Sequence, residues 1–252
     1  MIRRRTLVGL CMLCTFALSA IAAQSAFAFG QTAVTCAKSG GATDFAWGDS
    51  HCRTNVGAGF GEYGHSTFAG STKITADNIL TGLERQVTKL KSVQAGVTLE
   101  LQSQVLEGSG TMENKEEAIE MLAHGTGTIT YKEVTVTAPA GKGCIAKGTA
   151  VGTIKTNTLT ASNRGPLFNQ LKFTPKEGET FAEFTVEGCS IAALNHVYTA
   201  KGSVTGNTEG TTTKFTHAGT TEQNTLFLSG QKAGFDGSLT IHGANGNGLA
   251  LT

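Results

Sequence analysis

The sequence predicts an all-β fold, with antiparallel strands in a β-sandwich-like domain (a jelly-roll or paired sheets) that is stapled by two disulfides. Three observations predict this class. Many short runs of alternating apolar and polar residues are bounded by glycine or asparagine, which is typical of β-sandwiches and barrels. Glycine is abundant (33 residues) and proline is scarce (3 residues), so turns are plentiful and few strands are interrupted. The cysteines are also even in number.

The first 28 residues are predicted to be a cleaved signal peptide. Arg3 to Arg5 form a basic start, an apolar run extends from Leu7 to Ala23, and Ala26-Phe27-Ala28 has the small-x-small pattern that precedes a cleavage site. The apolar run is too short for a membrane anchor and is not followed by stop-transfer charges. We therefore expect a secreted or cell-surface protein with no membrane span once the signal is removed.

Cleavage after Ala28 would leave four cysteines: Cys36, Cys52, Cys144 and Cys189. An even number in an exported chain predicts disulfides, and four cysteines allow three pairings. We predict the local pairing, Cys36 with Cys52 and Cys144 with Cys189, because it needs the least chain closure. A zinc site is disfavoured, since no two of these cysteines lie at the short spacing of zinc ligands.

Residues 29–70 are predicted to form a disulfide-closed loop region, because they show little apolar periodicity. Residues 71–252 are predicted to form the main β domain, or two smaller β units that meet near Pro139. Trp47 and Asp49 are the candidate binding residues of the loop region, with the indole as a stacking platform for a sugar. The alternative for Trp47 is a packing anchor beside the disulfide.

The main domain contains one clear strand, one ambiguous segment and one predicted helix. Val97–Leu106 alternates apolar and polar residues, as a half-buried strand does. Residues 72–92 mix helical and extended signals, and we favour extended structure. Asn114–Ala123 has a capping residue at its start and glycine after its end, which predicts a short helix. Gly125–Thr137 is predicted to be a strand whose apolar residues change face, through either a bulge near Lys132-Glu133 or burial of both faces.

Two runs between Cys144 and Cys189 are predicted to pair as a hairpin. Residues 167–173 and residues 182–186 each place their apolar side chains on one face, and Thr174–Glu179 supplies the proline and glycine of a turn.

Four acids surround this predicted hairpin: Glu177, Glu179, Glu183 and Glu187. Two facing carboxylates about 5–9 Å apart could hydrolyse glycosides. A secreted, glycosidase-like hydrolase that uses this 177–187 hairpin is therefore the alternative function. Two observations argue against this hydrolase. Alternation places Glu183 on the face opposite Phe184, and glutamate is common on the solvent-exposed face of a strand.

Charge and motifs exclude several classes of function. The formal net charge is +1, and no basic stretch is interleaved with aromatic residues, which argues against nucleic acid as a partner. The sequence contains no nucleophile elbow, zinc-protease motif, Walker loop or dinucleotide fingerprint. Its histidines are scattered along the chain. We predict no catalytic residues, no cofactor and no metal.

Four stretches carry a resemblance to a known group of proteins, in addition to the signal peptide. They are Thr-Cys-x15-Cys at residues 35–52, GTGTITYKEVTVTAPAGKGC at 125–144, FTPKEGETFAEFTVEGCS at 173–190 and LSGQKAGFDGSLTI at 228–241. The chain is similar to exported, β-rich proteins without an established activity, which recur as paralogues in soil-dwelling actinobacteria. The resemblance covers most of the mature chain and implies export and a β fold. It supplies no catalytic residue.

Together these observations predict an exported, non-catalytic β domain with an extracellular or envelope-associated role in binding or structure. A glycan or another component of the cell envelope is the predicted partner.

Overall fold

The computed structural model describes residues 32–38, 44–79, 84–117, 120–163, 170–217 and 225–251. The predicted signal peptide lies outside these residues. Those described form strands and one 3-10 turn, Ala192–Leu194, and contain no α-helix. In chain order the strands are β1 (Ala33–Ala37), β2 (Gly64–Thr67), β3 (Ser71–Asp77), β4 (Thr88–Gln94), β5 (Val97–Ser103), β6 (Val105–Glu117), β7 (Glu120–Lys132), β8 (Thr135–Ala138), β9 (Ile145–Lys147), β10 (Ile154–Lys155), β11 (Leu159–Asn163), β12 (Gln170–Pro175), β13 (Thr180–Glu187), β14 (His196–Lys201), β15 (Val204–Glu209), β16 (Thr212–His217), β17 (Phe227–Leu228), β18 (Gln231–Gly243) and β19 (Leu249–Leu251).

Eight of these strands close into an antiparallel barrel. Their order is β16-β15-β12-β11-β7-β6-β3-β18, and β18 pairs back with β16 to complete the ring. The strands β6 and β7 approach closely near Gly110, where an added β-carbon would lie 2.2 Å from the Thr126 carbonyl oxygen. The predicted all-β class with two disulfides is confirmed. The strands close into a barrel with further strands attached and do not divide clearly into the two facing sheets of a sandwich.

A second curved sheet is joined to the barrel through β18. Its strand order is β8-β5-β4-β18-β17-β14-β13-β9. Ala233–Asp236 of β18 pairs with Lys89–Ser92 of β4 on one edge, while Phe235–Thr240 pairs with β16 on the other edge. One strand therefore belongs to both assemblies.

The core runs without interruption from the barrel into the space beneath the second sheet. A file of aromatic rings connects the two, with ring centroids 5.7 Å apart for Phe173 and Phe215, 5.2 Å for Phe215 and Phe235, and 6.0 Å for Phe235 and Tyr131. Edge-to-face and tilted contacts at these separations are favourable aromatic geometries.

The segment around the first disulfide contributes strands as well as loops. The strand β1 pairs with β2 on one edge and with β19 on the other, forming a separate three-stranded sheet. The chain from 44 to 63 is held by isolated bridges from Trp47 to Asn55 and from Trp47 to Tyr63. The barrel itself takes strands from both sides of residue 139, which favours one main unit over two units that meet there.

Both predicted disulfides are present. Cys36 is joined to Cys52 and Cys144 to Cys189, with Cα atoms 5.7 Å and 4.1 Å apart. Two disulfides are typical of proteins that reside in an oxidising, extracellular environment. In the described part of the chain, no helix has the length and apolar character needed to span a membrane.

The helix predicted over Asn114–Ala123 is wrong. Residues 114–117 belong to β6 and residues 120–123 to β7, while 118–119 lie outside the described residues. The Asn114 side chain bonds to the backbone of a neighbouring strand and does not cap a helix. Its Oδ1 accepts a hydrogen bond of 2.7 Å from the Ala33 N–H, and its Nδ2 donates one of 2.9 Å to the Ala33 carbonyl. The long cross-strand ladder of β6 and β7 outweighs the local helix signals.

The predicted pairing of residues 167–173 with residues 182–186 is also wrong where it can be compared, at 170–173, because residues 167–169 lie outside the described residues. β12 pairs with β11 and β15 in the barrel, whereas β13 pairs with β14 and β9 in the second sheet. The connection at 176–179, with Gly178 at φ +64°, carries the chain from one assembly to the other.

The remaining strand predictions are largely confirmed. Most of the described part of 72–92 is extended, in β3 and β4, while residues 80–83 lie outside the described residues. β5 covers most of Val97–Leu106. The predicted bulge near Lys132 is a break between strands: β7 ends at Lys132, Glu133 has φ +52°, and β8 begins two residues later.

Asn78 fastens three segments of the barrel wall. Its side chain is fully buried, and Nδ2 donates to the carbonyls of Gln86 (2.6 Å) and Gln104 (2.8 Å). Its Oδ1 accepts from the Leu106 N–H at 3.2 Å. The single amide thus holds the end of β3, the approach to β4 and the start of β6 in register.

Replacing Asn78 with alanine is expected to lower the free energy of unfolding by about 3 kcal/mol, because the buried Leu106 N–H would lose its side-chain partner and the carbonyls of Gln86 and Gln104 would each lose a hydrogen bond. The measurement is urea denaturation. Asn55→Ala is the matched control: Asn55 is exposed and accepts one hydrogen bond, from the Gly57 N–H at 2.9 Å, so its effect should stay within about 0.5 kcal/mol. Equal effects of the two substitutions would contradict the assigned role of Asn78.

Removal of the second disulfide is expected to destabilise the protein more than removal of the first. The bridges span sequence separations of 16 and 45 residues, for which loop-closure entropy gives about 3 and 4 kcal/mol respectively. The double variants Cys36→Ala/Cys52→Ala and Cys144→Ala/Cys189→Ala should be compared by chemical denaturation. A larger loss for the first pair would show that native contacts, not loop length, set the order.

Candidate functional site

Asp49, one of the two candidate binding residues, organises the loop that contains it. Its carboxylate accepts hydrogen bonds from the backbone N–H groups of His51 (2.8 Å), Arg53 (3.2 Å) and Thr54 (2.7 Å). Burial of Asp49 raises the pKa of its carboxyl, but the hydrogen bonds from Thr54, His51 and Arg53 together outweigh burial and the pKa is lowered. The oxygens are thus committed to the loop backbone.

Trp47, the other candidate, is a packing residue at the edge of a surface depression. Its ring is tilted against His65 with centroids 5.4 Å apart. The depression has a volume of about 370 Å³, and Arg53 and Lys214 also line it. Asp49 is not among its lining residues, so the two predicted residues do not form one site.

Two histidine–aspartate contacts lie in the first 80 residues and at their junction with the rest of the structure, and one of them, His242–Asp77, joins β18 to β3. His242 Nε2 lies 3.0 Å from Asp77 Oδ2, and His65 Nδ1 lies 2.9 Å from Asp44 Oδ2. The His51 ring meets the His242 ring edge-on at 5.3 Å. Sequence analysis missed the His242–Asp77 contact because the partners are 165 positions apart.

This polar cluster attaches the disulfide-closed loop to the barrel. Arg53 Nη2 donates to Thr240 Oγ1 at 3.3 Å, and Thr240 Oγ1 in turn donates to the Ile79 carbonyl at 2.9 Å. Burial lowers the pKa of His51, and the nearby positive charge of Arg53 lowers it further. Within the described residues, no group of three or more His, Cys, Asp or Glu side chains could hold a metal ion.

The acids of the 177–187 segment all lie on the surface. Glu177, Glu179, Glu183 and Glu187 are exposed. The Glu179 carboxylate is 3.5 Å from Lys201 Nζ. Glu177 and Glu179 line different surface depressions, so the structure does not bring these two acids into one cleft.

The most enclosed candidate site is a cavity beneath the second sheet, which we name the β13 cavity. It measures about 60 Å³ as the space open to the centre of a water-sized sphere. Eight strands contribute to its wall: β4, β5, β7, β10, β13, β14, β15 and β18. The wall is largely apolar, and its largest side chains are Leu90, Leu101, Tyr131, Phe181, Phe184 and Phe235.

Three hydroxyl groups belong to the wall of the β13 cavity. Ser103 Oγ donates to the carbonyls of Val105 and Lys132, at 2.8 Å and 2.7 Å. Thr88 Oγ1, on a residue with 3% exposure, has no hydrogen-bond partner within the described protein. Burial strongly raises the pKa of the Tyr131 hydroxyl. The cavity therefore combines a largely apolar wall with three hydroxyl-bearing residues, and Thr88 Oγ1 is the buried hydroxyl oxygen among them that has no partner in the described protein.

A second, smaller cavity lies inside the barrel. It measures about 50 Å³ by the same definition and is bounded by Ile74, Met112, Ile129, Phe173 and Leu239, among others. The aromatic file runs between the two cavities, because Phe173 lines the barrel cavity while Phe235 and Tyr131 line the β13 cavity. The two spaces thus have separate walls within one core.

Comparisons of the chain with models of protein families, with curated proteins and with solved structures find no match. The geometry of the chain itself therefore has to supply the functional argument.

The free energy of unfolding is expected to fall in two stages as the pH is lowered. The folded-state pKa of His51 lies below its usual value, so the unfolded chain binds a proton first and stability declines from about pH 6.5. The pKa values of Asp44, Asp49 and Asp77 are also lowered. Their stabilisation is present above about pH 4 and is lost as the pH falls through the folded-state values. Urea titrations between pH 8 and pH 3 measure both stages.

Asp49→Asn supplies the control for the second stage. Removing the charge weakens the hydrogen bonds to three backbone N–H groups, so stability at pH 7 should fall by about 1 kcal/mol. The decline below pH 4 should then be shallower than in the unmodified protein. A pH profile that the substitution leaves unchanged would contradict the role of this carboxylate.

Proposed function

We propose that the chain is an exported, non-catalytic β protein whose role is binding, and that the β13 cavity is its ligand site. The observation that carries this proposal is the apolar cavity with hydroxyl groups on its wall. Ligand sites of this kind are concave, mostly apolar and supplied with a few polar groups that orient the ligand. β-Barrels and closed β-sheets commonly hold one small ligand between their strands.

The size and lining of the cavity indicate the class of ligand. A cavity of about 60 Å³ accommodates roughly four to six water-sized spheres at about 10–15 Å³ each. A water molecule in this cavity would make few hydrogen bonds, since most of the wall is apolar. The cavity is smaller than the roughly 150 Å³ that holds a benzene ring, so its ligand would be an apolar molecule of a few heavy atoms. Such a molecule would gain about 25 cal/mol for each Å² of apolar surface removed from water.

Export, the resemblance to actinobacterial exported proteins and the predicted glycan or envelope partner are further parts of this proposal. A surface groove of about 540 Å³, lined by Lys172, Lys201, Thr225 and the half-exposed Phe227, offers cations, hydroxyls and an aromatic ring on the outside. Such a mixture suits a polar partner. The groove and the β13 cavity would serve different ligands.

The alternative, a secreted glycosidase-like hydrolase that uses the 177–187 acids, remains a prediction. The exposure of these carboxylates supports the non-catalytic proposal, because catalytic acids need partial burial to shift their pKa. The hydrolase alternative is tested by incubating the purified protein with a panel of polysaccharides. Hydrolysis that is lost in Glu179→Gln or Glu183→Gln would establish the hydrolase in place of the binding protein.

Binding of small apolar molecules is tested by thermal shift under xenon and under cyclopropane, both of which are smaller than a benzene ring. We expect Kd values in the micromolar to millimolar range and a rise in Tm at saturation. Ala200→Leu, which fills the β13 cavity, should abolish binding. Ala161→Leu makes the same change in the wall of the barrel cavity and should leave binding intact. No binding of any probe, or loss of binding in Ala161→Leu alone, would overturn the proposed site.

A further inference from the structure

The surface groove of about 540 Å³, which we name the Phe227 groove, contains an exposed aromatic ring. It is lined by Lys172 of β12, Lys201 of β14 and Phe227 of β17, among others. Phe227 is 44% exposed, whereas Leu226 and Leu228 on either side of it are buried in the core. A single exposed ring is ordinary on a protein surface, so its surroundings decide whether it forms part of a site.

Lysines flank Phe227 on both neighbouring strands. Its backbone pairs with Lys201 of β14 on one edge and with Lys232 of β18 on the other. Residues directly opposite each other in a sheet share a face, and adjacent strands lie about 4.7–4.9 Å apart. Both lysines are exposed. Their side chains therefore leave the sheet on the same face as the ring, one strand to each side of it.

Positive charge exceeds negative charge in and beside the groove. Glu179 is the acid among the lining residues, and its carboxylate lies 3.5 Å from Lys201 Nζ. The two side chains are 80% and 53% exposed, so the pair is weak and an anionic ligand can compete with the glutamate. Within the described residues, Lys172 and Lys232 form no ion pair. Charge complementarity therefore favours an anionic ligand.

A pair of hydroxyl groups adds hydrogen-bonding capacity. Ser203 and Thr225 both line the groove, and their hydroxyl oxygens lie 2.7 Å apart. Ser203 is buried and Thr225 is exposed. Since either hydroxyl can be the donor of this bond, Thr225 can turn either its hydrogen or a lone pair towards a ligand. Such a group suits the hydroxyls of a sugar, which both donate and accept.

We propose that the Phe227 groove binds an acidic polysaccharide, with one sugar ring stacked on Phe227 and anionic groups of the chain paired with Lys172, Lys201 and Lys232. This inference rests on the glycan partner in the proposed function and specifies its charge. The C–H groups on one face of a sugar pack on an aromatic ring, and Thr225 bonds to a sugar hydroxyl. A neutral glycan lacks the anions that the lysines attract, and an inorganic polyanion lacks the ring.

The test compares polygalacturonate, which has one carboxylate on each sugar, with its methyl ester, which has the same rings without the charge. Binding to the full chain is measured by calorimetry. The unmodified protein should bind polygalacturonate about tenfold more tightly than the ester, because up to three exposed ion pairs form. Raising the NaCl concentration from about 0.05 M to about 0.5 M should remove most of this difference, since salt screens exposed charges.

Substitutions separate the ring from the charge. Phe227→Ala should weaken the binding of both polymers about five- to tenfold, because the stacking contact is lost. Lys232→Ala should weaken polygalacturonate about two- to fivefold and leave the ester unchanged. Val197→Ala and Lys147→Ala are the matched controls. Both residues are exposed on strands of the same sheet and do not line the groove, so both affinities should be unchanged.

The position of the site is tested on the unmodified protein, independently of whether any variant folds. Polygalacturonate should protect Lys172, Lys201 and Lys232 from acetylation, as read by mass spectrometry, and should leave Lys147 reactive. Binding without this protection would place the polymer elsewhere and overturn the inference.

The remaining outcomes distinguish this inference from the proposed function. Equal affinity for the two polymers, with loss of both in Phe227→Ala, would overturn the acidic class while the glycan partner stood. No binding of either polymer would overturn the groove as a glycan site, and binding in the β13 cavity would still be measured separately under xenon. Tighter binding of polyphosphate or of a single-stranded oligonucleotide than of polygalacturonate would also overturn the inference, since the groove would then recognise a polyanion other than a polysaccharide.

Discussion

The double pairing of β18 is the constraint on which the rest of the structure depends. Phe235 and Asp236 pair with β4 on one edge and with β16 on the other, so their backbone groups belong to both assemblies at once. The barrel cannot rotate or slide against the second sheet without breaking hydrogen bonds in one of them. Phe235 also anchors the aromatic file, since its ring contacts both Phe215 and Tyr131. The position of the β13 cavity thus follows from the backbone of one strand.

Much of the fold could be predicted from the sequence, because the strand signals are local. Alternation identified β5, and it placed Ile129 and Tyr131 on one face of β7, as the structure has them. The choice of partner strands could not be predicted in the same way. The alternation of apolar and polar residues indicates which side chains of one strand share a face. Which strands pair with each other depends on the path of the chain after each turn. The segment at 174–179 shows this, since its Pro175 and Gly178 suit a hairpin turn and a passage between two sheets equally well.

The predicted helix at Asn114 failed for a related reason. Asparagine favours both helix caps and other local backbone hydrogen bonds, and the sequence does not reveal that Ala33, 81 positions away, offers both a donor and an acceptor. The candidate site shows the same limit. Trp47 and Asp49 were predicted as binding residues because Trp47 is the single tryptophan of the sequence and Asp49 is charged, in a segment that otherwise consists mainly of small and polar residues. The β13 cavity is built from ordinary apolar residues of eight strands, and its only local signal is a tyrosine on an inward face.

The closure of the barrel also bears on how the chain reaches its final form. The ring is completed by β18, whose partners include β3, more than 150 positions earlier in the chain. Contacts between such distant segments form slowly, because the chain loses the conformational entropy of closing a long loop before any hydrogen bond between the strands stabilises it. The apolar faces of β3, β6 and β7 that point into the barrel therefore stay exposed to solvent until nearly the whole polypeptide has been synthesised. A chain that crosses a membrane during its synthesis would have to be kept from premature association throughout that interval.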